Sequence, residues 1–110
     1  MGIGLLYVTH ANEVDAEVLC NSLLNENLIS CANFFPIKSM YKWENKINKE
    51  NETVSLIKFN KSKIDEVEKR IKELHPYEVP CIMRIPANAN IEFEKWINSQ
   101  KVVLNDLSNM

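Results

Sequence analysis

A histidine, a tyrosine and a glutamate alternate with two prolines in the segment HPYEVPC, residues 75–81: the histidine precedes the first proline, and the other two lie between the prolines. Imidazole and carboxylate groups can transfer protons or bind metal ions, and the thiol of Cys81 would add a soft metal ligand. The prolines also stiffen the chain, and Pro76 ends a helical pattern because the residue before a proline is displaced from the α region. The segment is therefore either a chemical site or a rigid connection between a helix and a strand.

The other potential metal ligands are dispersed along the chain. His10 follows an apolar segment near the start, and Cys20 and Cys31 lie in two later segments. No CxxC, HxxxH or CxxH spacing joins them, so a soft-metal site would need ligands from distant parts of the fold. Free cysteines commonly pack as small hydrophobic residues, and a histidine at a helix C-terminus interacts well with the helix dipole. Structural roles for Cys20 and His75 therefore compete with metal binding.

Aromatic and ionisable side chains form a second set of candidates, which comprises Tyr41, Trp43, Lys58, His75, Tyr77 and Glu78. If these side chains converge, they form a pocket with the polar groups that small ligands need, and Lys58 would favour an anion. Alternatively, the aromatic residues belong to a subunit interface and Lys58 pairs with Glu78. The chain contains no glycine-rich phosphate loop, serine nucleophile elbow or paired-carboxylate signature, so we predict that it is not an enzyme.

Length and composition predict one globular domain over residues 1–110. Hydrophobic residues make up 45% of the chain and charged residues 25%, which are ordinary values. A net charge of -2 argues against nucleic-acid binding, and the apolar start GIGLLYV is too short to span a membrane. Three cysteines without CxxC spacing predict reduced thiols and a cytoplasmic location.

Hydrophobic periodicity predicts the element order β-α-β-β-α-β, followed by a short helix. The predicted elements are a strand over 3–9, a helix over 13–26, a strand over 33–44, a polar turn region over 44–52, a strand over 53–60, a helix from Ser62 to Pro76, a strand over 79–86 and a helix after Asn90. This order matches the ferredoxin-like α+β sandwich. We expect Asn12 and Ser62 to cap the main helices, and Pro36 to mark a bulge or a sheet edge. We place His10 and His75 at different ends of the sheet, where they could meet only between chains.

The long hairpin predicts self-association. A strand over residues 33–44 would span roughly 40 Å at about 3.3 Å per residue, whereas a helix of about 14 residues covers roughly 21 Å. The part of the hairpin beyond the helices would carry uncovered apolar side chains, namely Met40, Tyr41, Trp43 and Val54. Two-stranded ribbons are marginally stable alone, so we expect another subunit to cover these residues.

Five segments resemble, in order and spacing, the divalent-cation tolerance family CutA: YVTHANE, LISCANFF, SMYKWENKI, IKFNK and HPYEVPCI. The resemblance covers roughly residues 3–98. It implies a ferredoxin-like homotrimer with intertwined hairpins, which binds copper or another divalent cation, responds to metal ions and has no established catalytic activity. It also implies a likeness to the trimeric PII signalling proteins, so the alternative function is a small-ligand sensor or a docking protein for a signalling partner.

The resemblance implies two sets of functional residues. The metal ligands would be His75, Glu78, Cys31, Cys81 and His10, some of them from a neighbouring chain. The small-ligand cleft would contain Tyr41, Trp43, Lys58, His75 and Tyr77. The chain departs from the family pattern at His10, Ala11, Asn45 and Cys81. A thiol at Cys81, where a carboxylate is common in the family, favours Cu(I) or Zn²⁺ over hard cations.

Overall fold

A four-stranded antiparallel sheet with two helices packed on one face forms the body of the computed structural model, which describes residues 2–103. The elements are β1 (Gly4–His10), α1 (Glu13–Asn25), β2 (Cys31–Trp43), β3 (Lys46–Phe59), a 3₁₀ turn (Lys61–Lys63), α2 (Ile64–Leu74), β4 (Ile82–Arg84) and α3 (Ile91–Ser99). The strand order is β2-β3-β1-β4, and all three pairings are antiparallel. This topology confirms the predicted ferredoxin-like α+β sandwich with a long hairpin and an added C-terminal helix.

The core lies between β1, β3 and the two main helices. Leu6 and Val8 are fully buried and alternate with half-buried residues, as the period of a strand requires. Cys20 on α1 belongs to the same apolar cluster, so packing accounts for this thiol. Gly4 continues the buried face of β1, and a Cβ atom there would lie 2.2 Å from Cε2 of Phe59. The ring of Phe59 therefore fills the space that a larger residue at position 4 would need.

Asparagine side chains cap α1 and the 3₁₀ turn. Asn12 caps α1 as predicted, because its side-chain oxygen accepts a hydrogen bond of 2.8 Å from the backbone N–H of Asp15. The predicted Ser62 cap of α2 is wrong. The backbone N–H and the hydroxyl of Ser62 both donate to Oδ1 of Asn60, at 3.0 and 2.8 Å. This arrangement starts the 3₁₀ turn, and α2 begins only at Ile64.

The β2–β3 hairpin is longer and more regular than the sequence pattern predicted. Its register is unbroken from Cys31 opposite Lys58 to Trp43 opposite Lys46, so most of the predicted polar turn region is strand. Only Glu44 and Asn45 form the turn, with φ values of 50° and 64°. Two consecutive positive φ values are typical of a type I′ turn, whose twist matches that of the strands.

Pro36 lies in the regular part of this ladder, opposite Thr53, so it marks no bulge. β2 is at the edge of the sheet, which is one of the few positions where a strand tolerates a proline. Of the two positions predicted for Pro36, a bulge or a sheet edge, the structure confirms the sheet edge.

Within residues 2–103, no third strand lies beside the distal half of the hairpin. β1 pairs with β3 only from Thr53 to Phe59, so residues 46–52 pair with β2 alone. Trp43 is 54% exposed and Ile47 is 71% exposed there. Val54, which we expected on the uncovered part, is instead fully buried, because it pairs with Thr9 inside the three-stranded region.

No helix within residues 2–103 is long and apolar enough to cross a membrane. The sequence left open whether residues 101–110 form a strand. Residues 101–103 have no regular secondary structure, and the other residues of this tail lie outside the described part of the chain.

Candidate functional site

The two histidines of the chain lie side by side. The ring centroids of His10 and His75 are 5.3 Å apart and the ring planes differ by 17°. Our expectation that the histidines are distant within one chain was wrong. β1 ends at His10, while β3 runs antiparallel to β1 and ends at the opposite side of the sheet. α2 then crosses the sheet in return, which brings His75 back to the end of β1.

Backbone groups engage both ring nitrogens of His75. Nε2 lies 2.8 Å from the carbonyl oxygen of Thr9. The backbone N–H of Tyr77 donates to Nδ1 at 3.1 Å. Because Nδ1 accepts, Nε2 must carry the proton and donate to Thr9, which assigns the neutral tautomer. His75 therefore fixes the 75–81 segment to the end of β1 and leaves no ring nitrogen free for a metal ion.

His10 is buried beneath His75 and is only 1% exposed. Its Nε2 atom is 2.7 Å from Oγ of Ser55, and its Nδ1 atom has no partner among the described residues. Burial is the main cause that lowers the pKa of His10 to about 4, and repulsion between two protonated rings would add to the effect of burial, although Asp15 and Glu52 oppose this shift. An ion from solvent cannot reach His10 without an opening of the core.

Tyr77 links the histidine pair to the base of the hairpin. Its ring is tilted against that of His75, with centroids 4.6 Å apart. Its hydroxyl donates a 2.7 Å hydrogen bond to Oε2 of Glu52 on β3. Burial and the adjacent Glu52 carboxylate raise the pKa of Tyr77 well above its ordinary value, so the phenol stays protonated and keeps donating.

An open groove of about 910 Å³ lies between the hairpin and the 75–81 segment. Its lining residues are Thr9, Ala11, Tyr41, Trp43, Glu50, Asn51, Glu52, Tyr77, Glu78, Val79 and Cys81. The structure thus brings together five residues that the sequence singled out, namely Tyr41, Trp43, Tyr77, Glu78 and Cys81. Among the residues that the structure describes, three glutamates and no lysine, arginine or histidine line this groove.

Carboxylates of β3 set the electrostatics of the groove. The nearby Glu50 carboxylate, which lies diagonally across the hairpin, is the main cause that raises the pKa of Tyr41. Burial, followed by the charge of Glu52, raises the pKa of the Cys81 thiol. The thiol is therefore protonated at neutral pH, and a metal ion that bound it would have to displace this proton.

Sequence reasoning missed Glu50 and Glu52. They face the groove because the two-residue turn sets the register of the hairpin and places them on the same face as Tyr41. The turn could have revealed them. Once Glu44 and Asn45 are identified as the turn, the alternation of side chains along β3 assigns every residue of that strand to one face of the hairpin.

Lys58 and Cys31 lie outside the groove. Cys31 on β2 and Lys58 on β3 are paired across the two strands. Thr53, the β3 residue that pairs with His10, lies five residues away from Lys58. Five residues correspond to roughly 17 Å at about 3.4 Å per residue. The ammonium group of Lys58 lies 5.4 Å from the ring centroid of Phe93 on α3. Lys58 therefore neither pairs with Glu78 nor supplies the groove with a positive charge.

Metal coordination within one chain is incomplete. Among residues 2–103, no three His, Cys, Asp or Glu side chains converge in a way that could hold a metal ion. The groove can offer carboxylate oxygens and the Cys81 thiol, while Cys31 could contribute only from another chain. Chemically, the groove suits a positively charged ligand that contacts aromatic rings and carboxylates.

Comparison with known proteins identifies the family. The sequence profile of the CutA1 divalent ion tolerance protein family matches residues 4–100. The divalent-cation tolerance protein CutA of Pyrococcus horikoshii is 38% identical over 94 residues, which cover 84% of this chain and 92% of that protein. The solved structure of the periplasmic divalent cation tolerance protein CutA from Archaeoglobus fulgidus is similar with a TM-score of 0.82 and 36% identity, over 86% of this chain and 94% of that chain.

A more distant protein shares the fold alone. The PII-like protein CutA from Nostoc sp. has a TM-score of 0.80 at 24% identity, over 86% of this chain and 93% of that chain. The profile match extends from β1 to the end of α3 and includes the hairpin and the 75–81 segment. With the identity to curated relatives, it confirms the resemblance seen in the sequence: the chain belongs to the CutA1 divalent ion tolerance protein family.

Proposed function

We propose that the protein acts as a homotrimer in the response to divalent metal ions, and that it binds copper or zinc at the groove. Relatives named for divalent-cation tolerance support the physiological role. The observation that carries the proposal is the groove itself, which combines the Cys81 thiol with three glutamates and, among the described lining residues, contains no basic side chain. Thiolate and carboxylate together suit Zn²⁺, and the thiolate also suits Cu(I).

Self-association is supported by the uncovered hairpin. Its distal half exposes Met40, Trp43 and Ile47, and one edge of β2 pairs with no other strand of the described part of the chain. Such an edge with apolar residues invites pairing with another chain. We propose that a neighbouring subunit covers this ribbon and brings further ligands to Glu78 and Cys81, with Cys31 as the candidate donor.

A metal titration tests this function. Reduced protein is titrated with Cu(I) and with Zn²⁺ against a competing chelator, beside the variants Cys81→Ser and Glu78→Gln. We expect a loss of affinity of at least about tenfold for Cys81→Ser, because the remaining carboxylates are weak ligands for soft ions. Cys20→Ala is the matched control, since its thiol is buried in the core. Affinity that ignores both groove substitutions, or a monomer in light scattering at micromolar concentration, contradicts the proposal.

A second function is favoured by the shape of the groove. Its volume of about 910 Å³ and its mixed aromatic and polar lining suit a small molecule. Because the fold is shared with a protein described as PII-like, we propose as the alternative a trimeric small-ligand sensor that signals to a docking partner. In both alternatives we propose a protein without enzymatic activity, because the groove residues that the structure describes include no paired nucleophile and base.

A cytoplasmic location is proposed from the cysteine content. The described residues hold free thiols at Cys20, Cys31 and Cys81, and free thiols suit a reducing compartment. The relative from Archaeoglobus fulgidus is described as periplasmic. Labelling of the protein in intact cells with a membrane-impermeant thiol reagent distinguishes these locations; rapid labelling of Cys31 or Cys81 would contradict a cytoplasmic one.

A further inference from the structure

The two faces of the protruding hairpin differ in charge. Directly opposed residues of β2 and β3 project to the same face, whereas successive residues project to opposite faces. The register therefore places three exposed lysines on one face, which carries no acidic residue. The residues of this lysine face are Lys38, Met40, Lys42, Ile47, Lys49 and Asn51.

The opposite face of the ribbon is acidic where it borders the groove. Glu50 and Glu52 lie on it with Tyr41, and all three line the groove. Lys46 lies on this face as well, but at the tip of the hairpin, opposite Trp43. One ribbon thus presents positive charge on one side and, beside the groove, negative charge on the other.

Among the residues that the structure describes, neither set of charges forms an ion pair. The ion pairs found within residues 2–103 all involve Arg70 or Arg84. The hydroxyl of Tyr77 donates to Glu52, but a phenol is a neutral donor and leaves the carboxylate charged. Both sets of charges are therefore free to pair with a neighbouring subunit.

We propose that the lysine face of one subunit docks into the groove of the next subunit, where its lysines form ion pairs with Glu50 and Glu52. The inference rests on the homotrimer proposed above and specifies which surfaces meet within it. Charge complementarity carries it, because one ribbon supplies a basic and an acidic surface, and a second copy of the chain brings the two together. The groove of one chain is incomplete without its neighbour.

The apolar residues of the two faces also match. Met40 and Ile47 lie between the lysines and are 67% and 71% exposed. In the docked arrangement they pack on the rings of Tyr41 and Trp43, so association removes apolar surface from water. The protruding part of β3, residues 46–52, is roughly 24 Å long at about 3.4 Å per residue, which allows it to reach a neighbouring subunit.

This contact has a direction. Each subunit offers its lysine face to one neighbour and receives the lysine face of the other neighbour in its groove, which makes the interface heterologous. Such an interface closes into a ring when the rotation between subunits permits. Two grooves do not pair with each other, because their carboxylates repel.

Charge reversal tests the contact. The lysine-face variant combines Lys42→Glu with Lys49→Glu, and the groove variant combines Glu50→Lys with Glu52→Lys. Each places like charges on both sides of the interface, so sedimentation at low salt should show assembly at protein concentrations at least about tenfold higher than for the unmodified protein. The variant with all four changes should again assemble like the unmodified protein.

Two controls accompany these variants. Lys69→Glu with Lys72→Glu reverses two exposed lysines of α2 and changes the net charge equally, without touching the hairpin. Tyr77→Phe removes only the hydrogen bond to Glu52. Both should assemble normally. At about 1 M salt the Debye length falls to about 3 Å, so the lysine-face and groove variants should approach the unmodified protein.

Chemical cross-linking of the unmodified protein supplies a test that needs no variant. Carbodiimide joins amines to carboxylates in direct contact. When isotope-labelled and unlabelled subunits are assembled together, products between chains should join a lysine-face peptide to the peptide that contains Glu50 and Glu52.

The outcomes separate the contact from the homotrimer. Charge-reversed variants that assemble like the α2 control, or a four-fold variant that is folded by circular dichroism but stays dissociated, overturn the inference and leave the homotrimer standing. Cross-links of Glu50 and Glu52 only within one chain do the same. An unmodified protein that sediments as a monomer removes the inference and the homotrimer together.

Discussion

The rings of His10 and His75 stack with centroids 5.3 Å apart at the buried end of β1. Backbone groups hold His75 through both nitrogens, whereas His10 has one nitrogen bound to Ser55 and one without a partner. The pair joins the core to the 75–81 segment. Because a buried charge is costly, protonation of either ring would destabilise the contact that positions Tyr77.

The first prediction concerns acid stability. The pKa of His10 is lowered from 6.5 to about 4, so between these values the unfolded chain binds more protons than the folded one. This contribution to stability is complete above about pH 6.5 and is lost as the pH falls through this window to about 4. The total loss is about 3 kcal/mol.

Urea denaturation at about pH 7 and about pH 5 tests this window, which lies above the range where most carboxylates titrate. His10→Gln retains a polar partner for Ser55 but cannot titrate. The variant should lose much less stability than the unmodified protein between these two conditions. Equal losses in both proteins would show that His10 is not the group responsible.

The second prediction concerns the contact between Tyr77 and Glu52. Tyr77→Phe removes the 2.7 Å hydrogen bond while keeping the ring against His75. We expect a decrease of about 1 kcal/mol in the free energy of unfolding, because a half-buried carboxylate loses its donor. Tyr7→Phe is the control, since the Tyr7 hydroxyl has no side-chain hydrogen bond among the described residues. Similar losses in both variants would mean that the bond to Glu52 contributes nothing specific.

The third prediction concerns the close approach of Gly4 and Phe59. Gly4→Ala places a methyl group 2.2 Å from a ring carbon of Phe59, inside contact distance. We expect destabilisation of about 1–3 kcal/mol from overpacking, measured by chemical denaturation. Phe59→Leu should relieve part of it, so the double variant should be more stable than the sum of the single effects predicts. Strict additivity would contradict a steric origin.

Local patterns predicted the fold because they were mutually consistent. The continuous apolar run of β1, the Asn12 cap and the apolar faces of the two main helices each indicated the element that the structure contains. The groove was only partly predictable. Tyr41, Trp43 and Tyr77 were recognised as candidates, but the position of Lys58 and the contribution of Glu50 depend on hairpin register, which a sequence without a recognised turn does not define.

The stacking of the histidines was missed for a different reason. Their proximity depends on the direction in which α2 crosses the sheet, which is a property of topology rather than of spacing. The role of His75 was likewise hidden, since its two hydrogen bonds go to backbone groups that exist near it only after the chain folds. A histidine beside a tyrosine and a glutamate resembles a ligand set in the sequence, yet here its nitrogens hold the loop.

The last prediction concerns the hairpin turn. Glu44 and Asn45 both adopt positive φ values, of 50° and 64°, and a glutamate there is strained because its Cβ crowds the backbone. Glu44→Asn combined with Asn45→Gly installs the pair that type I′ turns prefer. The double variant should gain about 1 kcal/mol in the free energy of unfolding, and amide exchange near the turn should slow. Asn45→Ala, as the matched control, should instead destabilise the hairpin. If the amides near the turn exchanged as fast in the double variant as in the unmodified protein, strain in the turn would not be what destabilises the hairpin that carries Tyr41 and Trp43.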